Sequence, residues 1–358
     1  MHQLDKSEME FVCYADWNQL PESANALFAE GSKESVFFSR PWFENLVNTA
    51  LENGQSMLLA CVVKGEDVLA ILPLMKRDSE QWTILTHLYS SLYSLLLAEK
   101  NRQKILECMV QGLTELPVYP LRLDPVAEND ENIRSLQRVI EASGAECHHK
   151  MRFYNWIHRV NGQSFEEYLG ARPARVRNTV ARKKRKLERE HGYEIRLFIN
   201  QDLEQAIADF NAVYKASWKA KELFGGFVKG LAYSLSEPGW LRLAILYIDG
   251  QPAAAQFWFV VHGKASIFKL AYDEVWKQYS PGSILISYLM EYVIETDKVE
   301  EIDFLTGNDA YKQDWMSERR ERFSLYCGKP RISNSKSGWF DSSLKNWVKR
   351  FKGSLASS

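Results

Sequence analysis

The sequence predicts an α/β protein built as two lobes, with an amphipathic helix near its C-terminus. Its 358 residues are more than one hydrophobic core usually holds and suit two domains. Runs with the two-residue period of strands alternate along the chain with runs that have the helical period. Residues 263–305 follow the order strand, turn, helix, strand, which predicts two parallel strands joined by a helical crossover.

Composition limits the class of protein. A hydrophobic content of 46% with 25% charged residues is that of an ordinary globular chain. The formal net charge of −1 argues against nucleic-acid binding over the whole surface, so any anion site must be local. The five cysteines are scattered and form no Cys-x-x-Cys pair, which favours reduced thiols over disulfides or a metal site. With a polar start and no long apolar run, we expect a soluble cytoplasmic protein.

The elements of the first lobe follow from local signals. Ser39 before Pro41 and Trp42 is typical of a helix start, and Lys64-Gly65-Glu66-Asp67 between two apolar runs predicts a hairpin. In chain order we predict a helix over 15–30, a helix from 39, strands over 56–63, 68–75 and 82–85, a helix over 102–113, a strand over 121–123 and a helix over 131–142.

The second half of the sequence predicts a sheet with more strands than the first half. Asp249-Gly250-Gln251 is the strongest hairpin signal in the chain. In Ser280-Pro281-Gly282-Ser283, Ser280 suits an N-cap, Pro281 a first turn, and Gly282 close approach of a ligand to the backbone. Free N–H groups at Gly282 and Ser283 would suit a phosphate. We predict strands over 153–160, 193–199, 241–248, 252–261, 265–271, 302–305 and 321–326, and helices over 164–170, 203–218, 228–235 and 284–293.

These residues resemble the GNAT acyltransferase superfamily. Tyr-Ser-Pro-Gly-Ser at 279–283, Ile-Asp-Phe-Leu-Thr-Gly at 302–307 and Ala-Tyr-Lys-Gln-Asp-Trp at 310–315 are similar to the CelD-like acetyltransferases, which resemble Fem peptidyltransferases in build. The sequence departs from the usual Arg/Gln-x-x-Gly-x-Gly/Ala of the superfamily by Tyr279 and Ile284. The resemblance implies two GNAT-like lobes, each a mixed, mostly antiparallel sheet flanked by helices. They would be a structural or substrate-binding lobe over 1–150 and an acyltransferase lobe over 151–330, followed by a linker and amphipathic tail over 331–358.

The resemblance also implies where coenzyme A would bind. In GNAT proteins two parallel strands splay apart, and unpaired backbone groups of the central strand hold the pantetheine arm and polarise the thioester carbonyl. That position corresponds here to Lys269, Leu270, Ala271 and Tyr272, and the pyrophosphate would lie at Tyr279, Ser280, Gly282 and Ser283. The alternative is that this strand is only part of the core.

Four residues are candidates for the chemistry. Acyl transfer from a thioester to an amine needs a donor to the carbonyl, a base for the ammonium and an acid for the thiolate. The resemblance places Tyr311 near the sulfur, as acid or as a packing residue. Lys312 either binds a carboxylate or phosphate or is solvated. Asp303, inside an apolar strand, is either a base or a cap of the following loop, and Asp273 is a second candidate base.

A basic segment covers residues 172–189. A solvated helix face is the usual interpretation of such a run. The alternative is a local anion site with Arg177, Arg182, Lys184 and Arg185 as its candidates. The anion would be the coenzyme phosphates, a nucleotide-linked sugar or, as in Fem-type enzymes, an aminoacyl-tRNA.

The tail has an apolar stripe formed by Phe340, Leu344, Trp347 and Phe351, with lysines and arginines on the other faces. We expect this helix to dock on the protein itself. Weak contact with an anionic membrane surface is the alternative.

The predicted function is N-acyl transfer, with acetyl as the expected group, from acyl-CoA to an amine. A small-molecule or glycan-precursor amine of polysaccharide or cell-envelope biosynthesis follows from the resemblance alone. The alternatives are a Fem-like transferase that uses aminoacyl-tRNA and a GNAT-fold binding protein without catalysis. The chain has no Gly-x-x-x-x-Gly-Lys-Ser/Thr, His-Glu-x-x-His or Gly-x-Ser-x-Gly motif, and no metal is expected.

Overall fold

The computed structural model describes residues 8–52, 54–76, 81–220 and 222–331. The strands are β1 (Glu10–Tyr14), β2 (Ser56–Lys64), β3 (Asp67–Lys76), β4 (Trp82–Ile84), β5 (Leu96–Leu97), β6 (Leu121–Ala127), β7 (Cys147–Arg159), β8 (Tyr193–Phe198), β9 (Leu241–Ile248), β10 (Gln251–Val261), β11 (Lys264–Tyr272), β12 (Glu301–Thr306) and β13 (Glu318–Cys327). The helices are α1 (Ala24–Glu34), α2 (Arg40–Ala50), α3 (Arg102–Leu113), α4 (Glu131–Ala142), α5 (Phe165–Gly170), α6 (Ala174–Glu190), α7 (Leu203–Ala216), α8 (Gly225–Ser236), α9 (Pro281–Glu295) and α10 (Lys312–Trp315).

Two sheets organise the molecule, which confirms the predicted α/β class. The first contains β1-β2-β3-β4 in that order, with β5 paired to β3, and all its pairings are antiparallel. The second has eight strands in the order β6-β13-β7-β12-β11-β10-β9-β8. Its β11 and β12 are parallel and are joined by α9, as the crossover predicted.

Local signals explain several element boundaries. The Ser39 side chain accepts a hydrogen bond from the Trp42 N–H, and Pro41 lies in the first turn of α2. Asp249 and Gly250 both have positive φ, 50° and 76°, which is the backbone of a type I′ turn and confirms the hairpin predicted between β9 and β10. α1 begins later than predicted, at Ala24, because Trp17–Gln19 forms a separate short 3-10 turn.

The second sheet separates two cores. One face packs against α7 and α8 and is continuous with the interior of the first lobe through a single cluster that includes Trp42, Phe227 and Phe259. The other face packs against α6 and α9 in a second cluster. β6 lies before residue 150 but pairs with β13, and β7 crosses that position. The division at residue 150 stays a prediction.

The cysteines differ from expectation. Cys147 and Cys327 lie opposite each other on β7 and β13 and form a disulfide, so the expectation of five reduced thiols is wrong for this pair. They are 180 residues apart, and only the pairing of these strands brings them together. Cys13, Cys61 and Cys108 are free thiols. No helix within the described ranges combines the length and the apolarity needed to cross a bilayer. The predicted tail helix lies outside the described residues.

Candidate functional site

The centre of the second sheet opens where two parallel strands part. β11 and β12 pair at Lys264–Glu301, Ala265–Ile302 and Ser266–Asp303, and their pairing ends there. β11 continues to Tyr272 while β12 ends at Thr306. The strand edge beyond Ser266 lines a cavity of about 210 Å³, which we call the strand-edge cleft. The cleft has backbone polar groups along one wall, because a strand without a neighbour leaves its ladder groups available.

A bulge alters the backbone at the start of this edge. Phe257 and Trp258 of β10 face Lys269 and Ile267, so Phe268 is the extra residue of β11. Such a bulge re-aims backbone and side chains near a site. Phe268 and its neighbours Ile267, Lys269 and Leu270 all line the strand-edge cleft.

The first lobe supplies the opposite wall. Leu88, Tyr89 and Ser91 line the cleft from the loop before β5. The hydroxyls of Ser91 and Thr306 are 2.9 Å apart and hydrogen-bonded, which ties this loop to the end of β12. Leu88 is 62% exposed at the cleft, so the mouth has an apolar rim. The site is therefore built from both lobes.

Of the residues predicted to hold the pantetheine arm, Lys269 and Leu270 line the cleft, whereas Ala271 is buried in the core. The Lys269 ammonium forms an ion pair with Glu222 and lies 4.6 Å from the ring centre of Tyr89. Its side chain is thus engaged within the protein. The contribution that Lys269 can make to a ligand is that of its backbone.

The start of α9 differs in part from expectation. Ser280 has the left-handed φ of 51° and makes no side-chain cap, so its predicted capping role is wrong. Its carbonyl accepts the Ser283 N–H at 3.0 Å, so that N–H is not free for a phosphate. The end of β11 meets the helix here, because a Cβ on Gly282 would lie 3.2 Å from the Tyr272 ring. Tyr272 in turn packs on Trp218, with ring centres 4.5 Å apart.

Tyr279 points away from this helix start. Its hydroxyl is 3.0 Å from the Nε2 atom of His191 and donates to the Glu190 carboxylate, also at 3.0 Å. The side chain is 5% exposed. Tyr279 thus joins the turn before α9 to the C-terminal end of α6, which is a structural contact, and its predicted role in binding the pyrophosphate stays a prediction.

Tyr311 and Lys312 lie together in the cleft. The Tyr311 ring packs edge-on against Phe304, and burial followed by the nearby Asp309 carboxylate raises the pKa of its phenol. Lys312 is buried, not solvated. Its ammonium donates to the Phe304 and Thr306 carbonyls at 3.1 and 2.6 Å, and burial lowers its pKa. Lys312 therefore holds the free end of β12 in place.

The two carboxylates predicted as bases lie elsewhere. Asp303 accepts hydrogen bonds from Asn155 and from the Leu305 N–H, and pairs with Arg320 at 2.7 Å. It faces a second, larger cavity. Asp273 caps the 3-10 turn over 274–279 by accepting the Val275 N–H at 3.1 Å. Among the residues that line the strand-edge cleft, the carboxylate is that of Asp309.

The basic segment forms α6, and its cations divide into two groups. Arg175 and Lys183 bind Asp314 and the Gln278 carbonyl, and Arg177 donates to the Gly170 carbonyl. Arg182, Lys184 and Arg185 are exposed, and Arg182 and Arg185 line a shallow depression of about 380 Å³. These exposed residues are the part of the predicted anion site that has charge available for a ligand.

Several residues of the site could not be recognised from the sequence. Lys219 lines the cleft from the segment between α7 and α8, and burial followed by Lys269 and Lys312 lowers its pKa. The loop with Ser91 has no motif. Arg320 and Arg322 lie in β13, which has a neighbouring strand on each side. Charged side chains in such a strand need buried partners, and this was the one sequence signal that pointed to them.

Comparison with known proteins identifies the domain. Residues 174–313 match a family model described as the acetyltransferase (GNAT) domain. Over this part of the chain the sequence is similar to GNAT domains. The match runs from the start of α6 into α10 and includes the residues that the second lobe contributes to the strand-edge cleft. It confirms the predicted acyltransferase class at the level of the domain family.

Solved structures share the fold of nearly the whole chain. The crystal structure of FemX is 12% identical with a TM-score of 0.61, covering 87% of this chain and 96% of that one. The C-terminal domain of a putative lysylphosphatidylglycerol synthetase from Agrobacterium fabrum is 11% identical with a TM-score of 0.55, covering 92% and 96%. A tandem GNAT protein from the clavulanic acid biosynthesis pathway is 14% identical with a TM-score of 0.52, covering 91% and 100%. No curated protein sequence matches the chain. The predicted Fem-like, two-lobed GNAT fold is confirmed.

Proposed function

We propose that this protein is an N-acyltransferase that moves an acyl group, acetyl in the first instance, from coenzyme A to an amine. The observation that carries the proposal is the parting of β11 and β12 after Ser266 and Asp303, which leaves a strand edge open inside a GNAT domain. A pantetheine arm is itself a chain of amides, so it can pair with such an edge as a short strand would.

The cleft contains groups for each part of the reaction. The backbone around the Phe268 bulge supplies N–H donors for the thioester carbonyl, and Tyr311 supplies a hydroxyl for the departing sulfur. Asp309 is the carboxylate placed to receive a proton from the amine, in the role first assigned to Asp303 and Asp273. Lys312 shapes the cleft through its two carbonyl contacts.

A ligand screen tests the donor. The full-length protein is heated with acetyl-CoA, longer acyl-CoAs and desulfo-coenzyme A, because a ligand that binds the folded state raises Tm by mass action. We expect acetyl-CoA to raise Tm and coenzyme A to be released when amines are added. Failure of every coenzyme A derivative to shift Tm or to bind by calorimetry would contradict the proposal.

A Fem-like transfer from aminoacyl-tRNA is the second candidate. The observation that favours it is the exposed trio Arg182, Lys184 and Arg185 on α6. The test is tRNA binding at low salt by wild type, by a variant with these three changed to Glu, and by a control with Lys64, Lys104 and Lys150 changed to Glu. If tRNA is the donor, only the α6 variant should lose binding, and wild type should show a steep salt dependence. Equal binding by both variants argues against it.

An amine acceptor from polysaccharide or cell-envelope precursor synthesis rests on the family resemblance alone. A cytoplasmic location rests on composition, and weak contact of the tail with an anionic membrane is the alternative to its docking on the protein. The same cations of α6 suit the coenzyme phosphates or a nucleotide-linked sugar if tRNA does not bind.

A further inference from the structure

A second, larger cavity lies between the first lobe and the eight-stranded sheet. Its volume is about 890 Å³, within the range of small-molecule sites. The first lobe lines it with the end of α1 and the starts of α3 and α4, and the sheet lines it with β10 to β13. We call it the interlobe cavity. The wall that the sheet contributes contains charged side chains. Burying a charged group costs free energy unless it is paired, so these side chains suggest a polar ligand.

Arg320 in this wall is fully engaged. Its guanidinium donates to both oxygens of Glu301 at 3.0 and 3.3 Å, to Asp303 at 2.7 Å and to the Asn155 side-chain oxygen at 2.5 Å. Arg320 therefore pairs with both buried carboxylates of β12, and Asp303 also accepts hydrogen bonds from Asn155 and the Leu305 N–H.

Arg322, two residues further along β13, has no such partner among the described residues. It is 6% exposed, and its printed contacts are the Asn155 oxygen at 3.1 Å and the Glu321 carbonyl at 3.5 Å. Both acceptors are neutral. Asp130, another acid in the cavity wall, accepts the Asn132 and Ile133 N–H groups at the start of α4. A buried guanidinium has five N–H donors and is costly without an anion, so Arg322 is poised to receive one.

The electrostatics of Arg322 agree with its contacts. Burial, followed by repulsion from Arg320, lowers the pKa of Arg322 to about 10. The nearby carboxylates act in the opposite direction but do not restore it. An anion that enters the cavity would remove this penalty.

A second cation lines the same cavity. Arg102 begins α3, and its guanidinium donates to the neutral side-chain oxygen of Asn132 at 2.6 Å. The α3 N-terminus has no side-chain cap and no acid in its first turn. Acids outnumber bases in the lining of the cavity as a whole, but Arg322 and Arg102 offer an anionic ligand one buried and one partly buried guanidinium from different lobes.

The interlobe cavity and the strand-edge cleft share a wall. Ser91 and Leu305 line both, and the Asp303 face of β12 borders the first while Phe304 and Thr306 border the second. The two spaces are therefore adjacent at the end of β12.

We propose that the interlobe cavity is the acceptor site, and that the acceptor is an amine that also carries a phosphate or a carboxylate, held by Arg322 and assisted by Arg102. The acceptor role rests on the proposed acyl transfer, whereas the binding of an anion does not. In the transfer, the amine nitrogen forms a bond to the thioester carbon and the carbon–sulfur bond breaks. The nitrogen loses one proton, and the leaving thiolate gains one.

Matched probes test the anion site. Binding to the full-length protein is measured by calorimetry for glucosamine 6-phosphate against glucosamine, and for β-alanine against β-alanine amide. In at least one of these two pairs, the anionic compound should bind at least tenfold more tightly than the neutral compound. A preference for glucosamine 6-phosphate would indicate a phosphate site, and a preference for β-alanine a carboxylate site. Arg322→Gln should abolish that preference and Arg322→Lys should keep part of it. Arg319→Gln, on the opposite face of β13 where Arg319 covers Tyr154, should leave it unchanged.

The outcomes separate this site from the donor cleft. Acetyl-CoA binding, measured on the same variants, should not change. In turnover with the anionic amine, Arg322→Gln should raise KM for the amine at least tenfold and leave KM for acetyl-CoA unchanged. Equal affinities of Arg322→Gln and Arg319→Gln for the probes, or no preference for either anionic probe in wild type, would overturn the proposal. If wild type does not bind acetyl-CoA but still prefers an anionic probe, only the assignment of the acyl donor is refuted, and the anion site stands.

Discussion

Tyr311 remains a hydrogen-bond donor throughout the physiological pH range, because burial and the Asp309 carboxylate raise the pKa of its phenol. A phenol of raised pKa stabilises a leaving thiolate by donating a hydrogen bond, and does so without ionising itself. Tyr311→Phe keeps the ring that packs on Phe304 and removes only this donor.

We therefore expect Tyr311→Phe to lower kcat by about a hundredfold, with acetyl-CoA affinity unchanged. The loss should be equal at pH 6 and pH 9, because the phenol stays protonated across this interval. Tyr292→Phe, on an outer position of α9, is the control. A loss of acetyl-CoA binding as large as the loss of kcat would mean that Tyr311 only packs.

The buried side chain of His158 should make the free energy of unfolding decrease as the pH is lowered. It is 3% exposed, and burial followed by Arg172 lowers its pKa to about 4. In the unfolded chain the pKa returns to the ordinary value near 6.5, so between these values only the unfolded state binds the proton. The neutral, buried His158 therefore contributes fully to the free energy of unfolding above about pH 6.5, and this contribution is lost as the pH falls towards 4.

The expected loss is about 3 kcal/mol, from the size of the pKa shift. Urea unfolding at several pH values should show it in wild type, and His158→Gln should flatten the curve over this range. His149→Gln changes an exposed histidine bonded to Gln137 and should leave the slope as it is. If the free energy of unfolding of His158→Gln still falls steeply between pH 6.5 and 4, groups other than His158 cause the pH dependence.

The sequence located candidate residues better than it identified their partners. An aspartate inside an apolar strand must be hydrogen-bonded, which was predictable for Asp303, but its partner Arg320 belongs to another strand. Lys269 pairs with Glu222, 47 residues away, and Lys312 binds carbonyls that a strand end leaves free. Side-chain pairs formed by tertiary contact leave no periodic signal along the chain.

Elements determined by neighbouring residues were predicted well. The hairpin at Asp249 and Gly250 and the crossover through α9 follow from short-range rules. The bulge at Phe268 and the left-handed Ser280 were not predicted, because both depend on how β11 and α9 meet their neighbours. The Phe268 bulge is also part of the wall of the strand-edge cleft.

The start of α9 provides a direct test of the pyrophosphate position. A side chain on Gly282 would meet Tyr272 at 3.2 Å and crowd the space before the helix. Gly282→Val should weaken acetyl-CoA binding tenfold or more while changing Tm little, because the position is only half-buried. Gly225→Val, at the start of α8 where a Cβ meets open space, is the matched control. Unchanged affinity in a folded Gly282→Val variant would move the pyrophosphate elsewhere.

The two lobes are joined more closely than a division at residue 150 suggests. β6 from the first half pairs with β13 at the end of the second sheet, and the disulfide joins β7 to β13. Pairings between strands about 200 positions apart cannot be inferred from local pattern. The first lobe also contributes Trp42 to the shared cluster, with its ring 5.4 Å from Phe227 and 6.2 Å from Phe268.

Trp42→Ala should therefore destabilise both lobes together. The side chain is 1% exposed, and its removal from such a site costs about 3–5 kcal/mol. In mild denaturant, amide hydrogen exchange in β2–β3 and in β9–β10 should accelerate by the same factor, because one cluster connects the two sheets. Trp218→Ala, at a half-exposed tryptophan, controls for loss of an indole. Faster exchange confined to β2–β3 would show two independently folding units, and the boundary near residue 150 would then be a true domain border.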